Sequence, residues 1–200
     1  MKRLIAALTV VALTGTLVTA SAEGMQYGIR AGFNMNSISI KDGPDVDMGT
    51  GFGAGLVMQY PLSSQLSIVP EVNFMYRTLG KFEVDLFIIP VKVTFSEMAL
   101  SVPCMIQYRV SEGSPLYLSG GVQLDIPFGS KVKASLFGVS ESEDWDTRNS
   151  IDFGFPLGLG YMINPNMAID FRFVLYVTKL EDDDVDVKLM SFGLGFNYLF

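Results

Sequence analysis

The sequence contains no histidine. That absence removes Ser-His-Asp triads, histidine-ligated metals and the side chain most often used to move protons near neutral pH. Cysteine occurs once, at Cys104, so no internal disulfide can form and no multi-thiolate metal site can be built. Charge is also scarce, at 18% of residues, and acid dominates it, with a formal net charge of −7. A nucleic-acid partner would call for a basic stripe, so none is expected. Beyond the N-terminus no apolar run reaches about 18 residues, and a spanning helix is not expected.

What remains is apolar and glycine-rich. Hydrophobic residues make up 49% of the 200 positions and glycine occupies 20 of them, a length that suits one domain. At the N-terminus Lys2 and Arg3 precede "LIAALTVVALTGTLV", and Ala20-Ser21-Ala22 follows with small-x-small spacing. This is the pattern of a secretory signal peptide over residues 1–22, cleaved near Ala22, with the mature domain over 23–200. The alternative is an uncleaved anchor.

The mature region alternates with period two, which marks strands with two unlike faces. Tyr27, Ile29, Ala31, Phe33 and Met35 oppose Gly28, Arg30, Gly32, Asn34 and Asn36. "TGFGAGLVMQY", "LSIVPEVNFMYR", "LSVPCMIQYRV", "LYLSGGVQLDIPF", "IDFGFPLGLGYMI", "MAIDFRFVLYV" and the terminal "SFGLGFNYLF" repeat the pattern. Eight such stretches have about the length that crosses a bilayer at a tilt. Short turn-like connections at 61–65, 111–115 and 164–166 interleave with longer ones near 37–49, 78–98, 129–150 and 179–188. The expectation is an all-β fold, an up-and-down antiparallel transmembrane β-barrel of eight strands. "FEVDLFIIPVKVTFSE" (82–97) is itself strand-like; a hairpin extension keeps the count at eight, and ten strands is the second reading.

A secreted lipocalin-like barrel with its apolar face inward, binding an apolar ligand, would alternate in the same way. The faces favour the membrane. One is almost unbroken Phe, Tyr, Leu and Ile, and the other is mostly Gly, Ser, Asn and Gln, poor material for a soluble exterior. Tyr60, Tyr76, Tyr108, Tyr161 and Tyr198 fall at or near strand ends, where membrane barrels carry aromatic girdles. Cys104 lies on the apolar face and reads as a small hydrophobe.

With the polar face inward, the lumen receives Arg30, Glu71, Arg77, Arg109, Asp125, Asp152, Asp170 and Arg172. An eight-stranded barrel is just wide enough for side chains to fill. These charges therefore predict a closed, self-neutralising plug; a narrow porin-like path for ions or small solutes is the alternative. Catalysis would have to rest on a carboxylate pair such as Asp152 and Asp170, and the protein is not expected to be an enzyme or to carry a cofactor. "KLEDDDVDVK" and "ESEDWD" cluster Glu181, Asp182, Asp183, Asp184 and Asp186, and Glu141, Glu143, Asp144 and Asp146. They lack the ligand spacing of a calcium loop, so solvated loops are the first reading and weak divalent-cation binding the second. Trp145 most simply anchors its loop.

"YGIRAGFNMN", followed by "GFGAGLVMQYPLSSQLSIVPEVNFMY", resembles the opening of PorT-like outer-membrane β-barrels, a porin family by grouping. "LSVPCMIQYRV" and "IDFGFPLGLGY" look like further strands of that family, and the outline is shared with OmpA-type and OmpX-type barrels. The resemblance implies a monomeric integral protein of the outer membrane of a Gram-negative-type bacterium, surrounded by lipid. It also implies insertion by the barrel-assembly machinery, but no common substrate and no pore. The ending on Phe196, Tyr198 and Phe200 is similar to the assembly signal of such proteins. A structural or interaction role is the function expected first.

Overall fold

Period-two alternation becomes strand along almost all of the described residues. The computed structural model describes residues 24–40, 47–86, 89–136, 139–144, 151–177 and 187–200. The signal peptide read at 1–22, Trp145, Asp146 and the acidic run 181–186 lie outside these residues. The described residues form nine strands: β1 (Gln26–Ile40), β2 (Asp47–Pro61), β3 (Leu66–Leu86), β4 (Ile89–Arg109), β5 (Leu116–Leu136), β6 (Val139–Asp144), β7 (Asp152–Asn164), β8 (Met167–Tyr176) and β9 (Val187–Leu199). All pairings are antiparallel.

Eight of the nine close a ring in the order β4-β3-β2-β1-β9-β8-β7-β5, sealed by the β4–β5 pairing; β6 pairs with β5 alone. Closure is what the backbone needs in lipid, where an unpaired N–H or C=O finds no water. The last seam is complete to its end, with Gly28 opposite Leu199 and the Phe200 N–H donating to the Tyr27 carbonyl at 2.7 Å. Short turns join the strands at one rim. Gly113, with φ of 75°, takes the left-handed conformation that the turn between β4 and β5 requires. Ser64 in the β2–β3 turn donates to Glu112 in the β4–β5 turn at 2.6 Å.

The apolar face points outward. Leu56 is 66% exposed, and Phe52 and Leu157 are 60% exposed each. So much large apolar surface is untenable in water, and it overturns the lipocalin-like alternative, whose apolar side chains would point inward. Cys104 is likewise exposed on this face. On β1 the belt runs from Tyr27 to Met35, about 26 Å of strand or about 20 Å of height at the usual tilt, most of the apolar band of about 25 Å that membrane barrels carry. Tyr27, Tyr60, Tyr108, Tyr161 and Tyr198 ring the short-turn rim. Tyr76 sits toward the opposite rim, where Phe52–Tyr76 and Phe74–Phe128 stack at 5.6 and 5.8 Å.

Two of the expected long loops are corrected. The described residues of segments 78–98 and 129–150 are strand: β3 and β4 each run 21 residues and pair up to Leu86 opposite Ile89, and β6 continues β5's pairing beyond the ring. Phe82↔Val93 and Val84↔Val91 continue the backbone register of the β3–β4 pair beyond the ring. The segment 82–97 is therefore the upper part of a β3–β4 hairpin, and the count of ten falls. In segment 37–49, Ser37–Ile40 pairs with β9 and β2 begins at Asp47.

Candidate functional site in the barrel lumen

Alternation sends every second residue of each strand inward, so the lumen is built from side chains of unlike strands meeting across a narrow space. From the short-turn rim upward it is filled in layers. An apolar layer of Val57, Val69, Met105 and Leu199 comes first. Tyr117, also buried, lies over Gly160, where a Cβ would meet its ring.

Above it Arg30, Glu71, Asp170 and Arg172 form a ring of alternating sign. Arg30 grips Asp170 with both terminal nitrogens, Nη2 at 2.8 Å from Oδ1. Arg172 grips Glu71 with Nη1 at 2.9 Å and Nη2 at 2.6 Å. The ring is completed by Arg172 Nε to Asp170 at 3.0 Å, an ion pair without hydrogen-bond alignment, and by Arg30 Nε to Glu71 at 3.6 Å. Asn73 donates to Glu71 at 3.0 Å, and Asn197 donates to Asp170 at 2.7 Å. Two arginines face two carboxylates, so the layer is neutral as buried charge must be. Bidentate arginine–carboxylate pairs are also the most geometrically specific of ion pairs.

Higher still, Arg77 is a hub with its side chain wholly buried. Its Nε donates to Glu97 at 2.7 Å, Nη1 to Asp125 at 2.9 Å and to the Tyr176 hydroxyl at 2.9 Å, and Nη2 to Asp152 at 3.1 Å. Its guanidinium carbon lies 5.2 Å from the Tyr176 ring centre. Tyr176 in turn donates to Asp125 at 2.6 Å, and Gln123 donates to both Asp125 and Tyr176 at 2.9 Å. Between hub and ring lies a cavity of about 80 Å³ bordered by Arg30, Asn73, Gln123, Arg172 and Tyr176. That is room for a few waters. Leu79, Val174, Tyr176 and Leu189, with Ile38 and Phe95 against them, close the upper end.

The ring order gives these contacts their mechanical meaning. β3 and β8 are four strands apart whichever way the barrel is counted, so they are opposite walls. Glu71–Arg172 and Arg77–Tyr176 both span that diameter. Of the eight charged residues assigned to the lumen from sequence, seven fall into the two clusters. Arg109 does not: it is partly buried at the end of β4, and none of the ion pairs among the described residues includes it. Asp152 and Asp170, the one carboxylate pair considered for catalysis, lie in different clusters, each bonded to arginine. Among the described residues no three acidic or thiol side chains gather as a metal site would need.

Sequence reading missed Glu97 and Tyr176. Glu97 ends the strand-like segment 82–97, which reads from sequence as an extension above the membrane, so it was not counted among the lumen charges. Tyr176 lies in "FVLYV", where apolar residues occupy both faces; its even parity with Asp170 and Arg172 was the available signal. Phe196, Tyr198 and Phe200 all point outward, the last two stacked edge-on at 5.6 Å.

The solved structure of Ail, the attachment invasion locus protein of Yersinia pestis, is similar with a TM-score of 0.52 at 22% identity, over 88% of this chain and 98% of that one. Ail in complex with the heparin analogue sucrose octasulfate gives 0.54 at 22% identity, over 89% and 100%. Neisserial surface protein A gives 0.50 at 18%, over 89% and 100%. At such identities the likeness establishes the fold. No curated protein matches the sequence. The family described as outer membrane protein beta-barrel domain matches residues 6–200, nearly the entire chain. With a closed ring, an apolar exterior and a packed polar interior already in place, the chain belongs to that outer-membrane β-barrel family.

Proposed function

We propose that this outer-membrane β-barrel works with its lumen closed, as a structural or interaction protein rather than as a pore or an enzyme. The observation that carries the reading is the pair of β3–β8 struts, Glu71–Arg172 and Arg77–Tyr176, each crossing the full diameter of the lumen. A permeating ion would have to break buried, bidentate or multiply bonded pairs and then pass two apolar layers. What remains for interaction is the long-loop rim, carried by the β3–β4 and β5–β6 extensions and by acidic stretches.

In this reading the chain is exported by its first 22 residues, inserted by the barrel-assembly machinery with Phe196, Tyr198 and Phe200 as the signal, and acts as a monomer. The testing experiment is reconstitution of the mature chain in planar bilayers, beside a gel assay of mobility before and after heating. The expected result is a heat-dependent mobility shift, which reports a folded barrel, with no discrete conductance steps over many insertions. Reproducible steps would overturn closure and favour the narrow channel.

A further inference from the structure

On the outward face of β3, β4 and β5 the side chains change character at a single height. Moving away from the short turns, Phe74 and Tyr76 give way to Thr78 on β3. Leu100 and Met98 give way to Ser96 and Thr94 on β4, and Ile126 and Phe128 to Lys131 and Lys133 on β5. These positions are neighbours across the sheet: Thr78 pairs with Ser96, Ser96 with Lys131, and Thr94 with Lys133. Lys81 stands in register beside Thr94 on the other side.

A bulge sets this face. Between Met98 and Ala99 the β4–β5 register shifts, which turns β5's parity over. Val132 then pairs with Phe95, which packs against the upper lumen cluster, while Lys131 and Lys133 are exposed on the opposite side. Without the bulge the lysines would point at the lumen.

The height matters. Three residues separate Phe128 from Lys131, about 10 Å of strand and about 7 Å of height at the usual tilt. The head-group zone beyond the hydrocarbon is about 5–8 Å deep on each side, so the ammonium groups stand within or just above it. The distribution is one-sided as well. In a chain of net charge −7, the charged side chains of the described short-turn rim are Arg109 and Glu112, and no lysine lies there. Asp144 stands in register with Lys131 and Asp47 with Lys81, whereas Lys133 is flanked by Thr94 and Ser142.

We propose that this rim binds the phosphate groups of lipids in the outer leaflet, with Lys133 and Lys131 as cationic ligands and Thr94 and Ser96 as hydroxyl donors. The proposal rests on the outer-membrane barrel reading and adds the lipid chemistry recognised and its place on the barrel wall. Continuity with the lipid-facing belt is what selects a lipid as occupant: a phosphate held here belongs to a molecule whose acyl chains lie on Tyr76, Met98 and Phe128.

The test uses the refolded mature chain in detergent and measures its binding of diphosphoryl lipid A and of the same lipid with its phosphates removed. A lysine near an anionic surface contributes about fivefold, so the wild type should prefer the phosphorylated lipid by about twenty-five-fold. Lys131→Gln with Lys133→Gln should abolish the preference, and Lys131→Arg with Lys133→Arg should keep it. No preference in the wild type, or an unchanged preference in the glutamine variant, overturns the proposal. Displacement of the lipid by millimolar inorganic phosphate also overturns it, in favour of a soluble-phosphate site. The heat-dependent gel shift is read on every sample. Its loss in the wild type speaks against the barrel reading, and its presence without lipid preference speaks against this inference alone.

Discussion

Gly195 faces Arg30 across the β1–β9 seam, and a Cβ at that position would collide with the Arg30 guanidinium. Because Arg30 is held to Asp170 by both nitrogens, Gly195→Ala should displace it from the ring and cost about 1–3 kcal/mol through overpacking of a filled interior. Urea unfolding in phospholipid vesicles measures this, and an unchanged midpoint would show that the arginine has somewhere else to go. Arg77→Met removes the cation shared by Glu97, Asp125 and Asp152 and should cost about 3–5 kcal/mol, as breaking a buried pair does. Arg109→Met is the control, since Arg109 is only partly buried at the rim, outside both ionic clusters, and should cost little. Equal losses in the two variants would refute the hub. Parity alone made the inward charges legible, because a strand's faces are fixed two residues at a time. Their partners were not legible. Arg172 meets Glu71 rather than Asp125 because of strand stagger and closure, which no single strand's sequence carries. Tyr176 was hidden for a related reason: in a run that is apolar on both faces, parity has nothing to contrast.

At the scale of elements, the strands were readable from alternation and their ends were not. A transmembrane strand stops being lipid-facing where its outward residues turn polar, yet its backbone pairing continues as long as cross-strand neighbours suit each other. β3 shows this. Its register with β2 reaches Lys81, while with β4 it runs on to Leu86, so composition marked the membrane boundary and was mistaken for a strand boundary. Pairs beyond Lys81 therefore belong to the extension and not to the closed ring. Replacing 82–93 with a short turn should leave the heat-dependent gel shift intact and change unfolding stability little, since loop length costs free energy only slowly. A variant that no longer folds would place the extension within the barrel's folding unit. The closing strand carries the opposite expectation. Deleting Phe200 removes the N–H that bonds the Tyr27 carbonyl and the outward ring stacked on Tyr198. Barrel assembly in cells should fall while export continues, and undiminished assembly would remove Phe200 from the signal.

For the molecule as a whole, the question is whether closure depends on one contact or on the stack. The lumen has an apolar layer at each end and two ionic layers between them, with a cavity of only about 80 Å³ separating the ionic layers. Removing one layer leaves the others in series, and a path is only as open as its tightest constriction. Glu71→Ala with Arg172→Ala deletes one β3–β8 strut and keeps Arg30 with Asp170 as a pair, so charge balance within the ring survives. The stack then predicts that this double variant stays silent in planar bilayers, like the wild type, although it should unfold at lower urea. Conduction by the double variant would mean that the ring alone holds the lumen shut and that the apolar layers are permeable. The second variant to set beside it combines those changes with Val57→Ser and Met105→Ser, which also opens the short-turn layer. That variant still retains Arg77 bonded to Glu97, Asp125, Asp152 and Tyr176, a cluster reaching five of the eight wall strands. It too should remain silent, because an ion reaching the hub meets a guanidinium whose every donor nitrogen is already engaged. Discrete steps from the four-site variant, with none from the double, would move the seat of closure from the hub to the short-turn layer.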